Sequence, residues 1–177
     1  MRILITNDDG IQSPGIQELS RHVEDAGYEL VVVAPDHDAS GTGTSLGRIS
    51  SEEPIHVSRH KIPGLQADAY GISGSPALCV VTGYLEAFGP VPDLVISGIN
   101  AGLNTGRSTL HSGTVGAVLA AQNFGIQGLA VSLDGSTDWE WKTAAEIALE
   151  VLPCIAAGPV RSAFNINVPG LARKDLK

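Results

Sequence analysis

Short apolar runs alternate along this chain with stretches whose apolar residues recur every three or four positions. Ile3–Thr6 is a short apolar run, and from Pro14 to Ala26 the residues Ile16, Leu19 and Val23 keep helical spacing. Ser13 before Pro14 offers an N-cap followed by proline at the first helical position, and Gly27 ends the helix. Glu29–Ala34 is β-branched and reads as a second strand, followed by a loop from Pro35 to Gly47 rich in Gly, Ser and Asp. Ile55–Arg59, with alternating side chains, and Ala67–Ile72 read as further strands. Pro76–Phe88 is predicted as a helix, Asp93–Ser97 as a buried strand, Gly98–Ser112 as a glycine-rich loop and Gly113–Phe124 as a small-residue helix. Leu129–Leu133 is a strand, Trp139–Ala157 a helix interrupted near Pro153, and Phe164–Val168 a closing strand. Strands that are apolar throughout belong to parallel sheets covered on both faces, so the predicted fold is α/β, doubly wound and mostly parallel. No internal repeat or linker divides the chain, and residues 1–177 read as one domain.

The loops Asn7–Ser13, Asp36–Gly47 and Gly98–Ser112 each follow a strand. A parallel sheet opens all three at one edge, where the strands' carboxyl ends collect ligands. Together they gather Asp8, Asp9, Ser40, Asn100 and Asn104, all oxygen donors. In Asn7-Asp8-Asp9-Gly10 two like charges stand side by side, a repulsion that Mg²⁺ or Mn²⁺ turns into attraction. A solvated Asx-rich turn is the competing reading of that triplet. Sulfur and imidazole do not dominate the set, which favours Mg²⁺, Mn²⁺ or Ca²⁺ over zinc.

The third loop runs through Ser112-Gly113-Thr114-Val115 into a helix, presenting backbone N–H groups and hydroxyls to an anion. Ser112 as a plain N-cap is the alternative, and the two roles use the same helix end. A cation on one side with amide donors on the other is the arrangement phosphoryl transfer needs. His111 in this loop is either a general acid or a packing residue, His37 is a weaker candidate, and His22, His56 and His60 read as surface residues. Trp139 and Trp141 read as core or interface anchors.

Three tempting motifs fail. Gly43-Thr44-Ser45-Leu46-Gly47 matches a nucleophile elbow, but Glu52, Glu53 and Pro54 follow it instead of a helix. Gly41-Thr42-Gly43 lacks the third glycine of a dinucleotide fingerprint. Gly102–Ser108 resembles a P-loop only loosely, with Arg107 where lysine belongs.

Composition narrows the partners. A formal charge of −8 argues against a nucleic-acid duplex, and no apolar run approaches the roughly 18 residues that span a bilayer. The start lacks a signal peptide, so the expected location is cytoplasmic, with Cys79 and Cys154 as buried free thiols.

The opening Met1-Arg2-Ile3-Leu4-Ile5-Thr6-Asn7-Asp8-Asp9-Gly10-Ile11 resembles the start of the survival protein SurE family of metal-dependent 5′/3′-nucleotidases. Val33-Ala34-Pro35-Asp36 with Ser40-Gly41, then Ser97–Gly102 and Ser112–Gly116, resemble its other segments in order, and Ala130–Leu133 with Asn165–Pro169 extend the match. The resemblance implies a three-layer Rossmann-like domain and one divalent ion per subunit held by Asp8, Asp9, Ser40 and Asn100. The ion is Mg²⁺ or Mn²⁺, and Ca²⁺ is expected to occupy the site in crystals. Asp8, Asp9 and Asn100 form the catalytic set. The resemblance also implies a phosphate pocket drawn from Asn7, Ser40, Gly41, Asn100 and the turn of Ser112, Gly113 and Thr114, to which the reading of the loops adds Asn104, Arg107 and His111 as expected substrate contacts. The implied reaction converts nucleoside monophosphates to nucleoside and phosphate in a homodimer or homotetramer. Water is the expected nucleophile, with attack by Asp8 or Asp9 through an aspartyl-phosphate as the variant.

This sequence departs from the family pattern at Thr44, usually His, at Arg107-Ser108-Thr109, where an Asp is usual, and at Leu78, usually Asp. Arg107 is expected to bind a second anionic group, which keeps a phosphatase for another phosphorylated metabolite in view. The family continues well beyond Val168 with a hairpin and a segment exchanged between subunits, and this chain is expected to lack both. A catalytically silent nucleotide-binding module is the rival reading.

Overall fold

The structure, a computed structural model, describes residues 1–135 and 139–176. Among the described residues seven strands form one sheet: β1 (Arg2–Thr6), β2 (Glu29–Pro35), β3 (Val57–His60), β4 (Ala69–Ile72), β5 (Leu94–Ala101), β6 (Gln127–Leu133) and β7 (Ala163–Val168). Their spatial order is β3-β4-β2-β1-β5-β6-β7. Every neighbouring pair is parallel except β3 with β4, so the doubly wound, mostly parallel expectation holds, with one antiparallel edge strand.

Period-two alternation sorts the strands' side chains into two cores. Ile3, Ile5, Val32, Ile96, Leu129 and Val131 pack with residues of helices α1 (Pro14–Asp25) and α4 (Trp141–Ala156). Leu4, Val31, Val33 and Val95 face the other way, against α2 (Pro76–Tyr84) and α3 (Gly113–Asn123). Three layers result. Ile3, Leu4 and Ile5 have no exposed surface, and burial of each such side chain contributes about 2 kcal/mol.

From β1 the chain winds outward through β2 to β4 and β3, then returns through α2 to β5 on the other side of β1. Winding direction therefore reverses between β1 and β5. In open sheets that reversal leaves a crevice at the carboxyl ends of the two strands.

Several boundaries differ from the expectation. β5 does not stop at Ser97: pairing with β6 shifts register after Ser97 and resumes at Asn100 opposite Ser132. Gly98 makes this possible, with φ of +133° and a backbone so close that a Cβ would lie 2.3 Å from the Val131 carbonyl oxygen. α2 ends at Tyr84 rather than Phe88, and Glu86 beyond it has φ of +61°, a conformation no helix continues through. α4 runs unbroken through Pro153, because near a helix end the missing N–H removes one hydrogen bond without splitting the element. Cys79 is buried as expected, but Cys154 is exposed on α4, where its position falls outside the apolar stripe. Trp139 and Trp141 stack nearly parallel with centroids 4.8 Å apart, and Trp141 packs on the core. His56 is exposed, whereas His22 and His60 are half-buried. No helix among the described residues is long and apolar enough to cross a membrane.

Candidate active site

Asp8 and Asp9 stand at the carboxyl end of β1, in the crevice where the winding reverses. Asp8 is 3% exposed. Its carbonyl accepts a hydrogen bond from the Ala39 N–H at 2.8 Å, tying the β1 loop to the loop after β2. Its Oδ1 accepts from the Thr114 hydroxyl at 2.5 Å. The first turn of α3 approaches so closely that a Cβ at position 113 would sit 2.7 Å from the Asp8 Cβ, so Gly113 is a steric requirement. Gly116 serves the same approach one turn on, where a Cβ would fall 1.9 Å from the Gly43 carbonyl oxygen.

Asp9 is half-buried, and the Ala101 N–H donates to its Oδ2 at 3.3 Å. Burial, followed by the charge of Asp8, pushes its carboxyl from the ordinary 3.8 up to about 6. Asp38 adds to that repulsion. Among the described residues no Lys, Arg or His forms an ion pair with Asp8 or Asp9.

The two carboxylates open into a cavity of about 250 Å³ lined also by Ser40, Gly41, Asn100, Ala101, Asn104, Ser108, His111 and Ser112. Asn100 reaches it from the resumed part of β5 rather than from a free loop, and its Nδ2 donates to the Gly102 carbonyl at 2.7 Å, leaving Oδ1 available. Ser112 caps α3 by accepting from the Val115 N–H at 3.1 Å. The Ser40 hydroxyl and N–H both donate to Asp38 Oδ1, at 2.6 and 2.9 Å, and hold that carboxyl below its usual range. Two larger cavities, about 530 Å³ beside residues 45–56 and about 720 Å³ under residues 59–68, contain neither carboxylate.

Eight of the sequence-predicted site residues thus meet in one cavity: Asp8, Asp9, Ser40, Gly41, Asn100, Asn104, His111 and Ser112. Four do not line it. Thr114 and Gly113 stand behind Asp8. Asn7 donates through Nδ2 to the Gly10 carbonyl at 3.0 Å and to Ser13 Oγ at 2.7 Å, so it shapes the loop, while its buried Oδ1 has no partner. Arg107 is exposed on a short 3-10 turn, Gly106–Leu110, and it is the neighbouring Ser108, also exposed, that lines the cavity. Ser108, Ala101 and Asp38 were not anticipated. The Asp-x-Ser spacing of Asp38 and Ser40 was the one visible signal, since Asx side chains bind their own backbone two residues on.

The donor set fits a hard divalent cation. Two desolvated carboxylates without a cationic partner, an amide oxygen and a hydroxyl converge, and among the described residues no cluster of three or more His, Cys, Asp or Glu offers an alternative centre.

An oxygen-lined carboxylate site at the switch point of a doubly wound sheet, beside a helix N-terminus, defines a Rossmann-like α/β protein whose donor groups suit a cation and an anion. Residues 3–177 match the family described as survival protein SurE, and the chain belongs to that family. It is 40% identical over 177 residues to the "5'-nucleotidase SurE" of Desulfitobacterium hafniense, covering 100% of this chain and 68% of that protein. To the "5'/3'-nucleotidase SurE" of Erwinia tasmaniensis it is 39% identical over 179 residues, covering 100% of this chain and 67% of the relative. The crystal structure of a SurE protein from Aquifex aeolicus superposes with a TM-score of 0.84 at 34% identity, covering 100% of this chain and 69% of that one.

Proposed function

We propose that this protein is a metal-dependent phosphomonoesterase that hydrolyses nucleoside 5′-monophosphates, and 3′-monophosphates, to nucleoside and phosphate. The observation that carries this reading is that Asp8, Asp9 and the N-cap of α3, Ser112, line one cavity of about 250 Å³. Relatives named 5'-nucleotidase and 5'/3'-nucleotidase support the choice of substrate.

Asp8, Asp9, Asn100 and Ser40 would hold the ion, Mg²⁺ or Mn²⁺. When bound, such an ion polarises a phosphate and lowers the pKa of an attached water from about 16 toward neutrality. The remaining work falls to this chain. Thr114 fixes the carboxylate of Asp8, a residue that lines the cavity, by donating to Oδ1. Ser112, which lines the cavity at the start of α3, neutralises charge on the phosphate oxygens, and a preorganised donor of this kind is worth about 3 kcal/mol in the transition state. Water attacks phosphorus and the ester P–O bond breaks. The proton that the water gives up ends on the departing nucleoside oxygen, and His111, exposed at the cavity wall, would relay it by accepting one proton and donating the other.

Arg107 is exposed and is not among the residues that line the cavity, so it gives the reading of a second anionic group on the substrate no support. A panel of nucleoside monophosphates and other phosphoesters, each assayed with Mg²⁺ and with Mn²⁺, tests the proposal. Preferred release of phosphate from nucleotides supports it. Nucleotide binding without turnover under every metal would make the protein a silent binding module.

A further inference from the structure

Asn104 is 7% exposed, and its peptide groups lie where water cannot serve them. Side chains replace that water. The Asn104 N–H donates to Asn167 Oδ1 at 2.8 Å, and the Asn104 carbonyl accepts from Asn167 Nδ2 at 3.2 Å. One primary amide thus grips both polar groups of a single residue, as a neighbouring strand would. Asn165 Nδ2 donates to the same carbonyl at 2.9 Å, using its second lone pair. Asn104 Nδ2 donates in turn to Ser132 Oγ at 2.9 Å.

The strand register explains why these four residues meet. Asn165 and Asn167 are two apart on β7 and share a face, and Ser132 of β6 lies directly opposite Asn167. Ile166 and Val168 point to the other face, into the α1–α4 core. The loop leaving β5 must cross the ends of β6 and β7 before α3 begins, and this polar face is where it lands. The same loop carries Ser108 and His111 to the wall of the active-site cavity.

We propose that Asn165, Asn167 and Ser132 are positioning residues for the reaction: they clamp Asn104 and thereby hold Ser108 and His111 over the substrate phosphate. None of the three lines the cavity. The inference rests on the nucleotidase reading for its kinetic consequence, while the clamp itself is a property of the fold. An amide that must accept on one side and donate on the other cannot be replaced by a carboxylate, which has no donor at neutral pH. Packing alone would tolerate that near-isosteric change.

The test uses the full chain and the variants Asn167→Ala and Asn167→Asp at pH 8. Both are expected to lower kcat for AMP by about a hundredfold, the cost of a misplaced active-site group. Mn²⁺ affinity, measured by calorimetry, is expected to stay within twofold of the parent, because the carboxylates do not touch β7. Amide hydrogen exchange of residues 103–111 is expected to accelerate in both. Ser132→Ala, a smaller change, gives the same pattern at about tenfold if either Asn167 variant fails to fold. Asn167→Asp with parental kcat and parental exchange would overturn the proposal. If the parent chain itself releases no phosphate from AMP with Mn²⁺, the nucleotidase reading fails, and exchange of residues 103–111 alone decides the clamp.

Discussion

Replacing Asp9 by Asn removes one of two carboxylates that repel each other, so it should stabilise the metal-free protein while destroying its affinity for metal. The rise of the Asp9 carboxyl from 3.8 to about 6 in the fold comes through burial first and the Asp8 charge second, and Asn relieves both. Taken at face value it destabilises the metal-free fold by ~3 kcal/mol at neutral pH. Asp9 is half-exposed, and solvent screening reduces this to about 1–2 kcal/mol. The direction with pH follows from the rise. The folded chain holds the proton more tightly than the unfolded chain, so the associated stability is fully present below the ordinary 3.8 and is lost as pH climbs through about 6. Asp9→Asn in EDTA should therefore melt about 3–6 °C higher than the parent at pH 8 and no higher near pH 3.5. Manganese reverses the order. At a hundredfold excess over Kd the parent gains ~2.7 kcal/mol and the variant gains nothing. Differential scanning calorimetry at two pH values, with and without Mn²⁺, reads all four states. An Asp9→Asn variant that melts at or below the parent in EDTA at pH 8 would refute the electrostatic reasoning.

Other consequences are as direct. Apparent Mn²⁺ affinity should weaken as pH falls below about 6, where Asp9 takes up its proton, and calorimetric titration between pH 5 and 8 checks this. Thr114→Val deletes the donor to Asp8 Oδ1 and should lower kcat ten- to a hundredfold, the worth of a hydrogen bond to a charged group, with the far-UV spectrum unchanged. Gly116→Ala drives a methyl group to 1.9 Å from the Gly43 carbonyl oxygen and should cost about 2–3 kcal/mol, read as a lower urea midpoint. Native thiol titration should count one fast cysteine, the exposed Cys154. Cys79 is fully buried, burial pushes its thiol pKa far up, and it should react only after unfolding.

The sheet and the carboxylate pair were legible because their signals are local. Continuous apolar strands separated by helix-periodic segments specify a doubly wound sheet, and Asp8-Asp9 falls directly after the first of them. Long-range register was not legible. The resumption of β5 at Asn100 depends on Gly98 lying against the Val131 carbonyl, a contact between residues far apart in sequence. The clamp of Asn165 and Asn167 on Asn104 is of the same kind: on the chain these are two polar residues in a short strand. Arg107 and Ser108 are neighbours in one loop, and only the 3-10 turn decides that Ser108 faces the cavity. Thr114 looked like a phosphate ligand because it opens a helix. The close approach allowed by Gly113 turns its hydroxyl toward Asp8 instead.

All of this depends on Asp8 and Asp9 holding a divalent cation on which ester hydrolysis depends. Phosphate release from AMP, followed after exhaustive dialysis against EDTA and again after Mn²⁺ is restored, tests that most directly. Activity should vanish with the metal and return with it in the parent chain, and it should not return in Asp8→Asn. Undiminished turnover in EDTA, or full recovery in Asp8→Asn, would contradict the account.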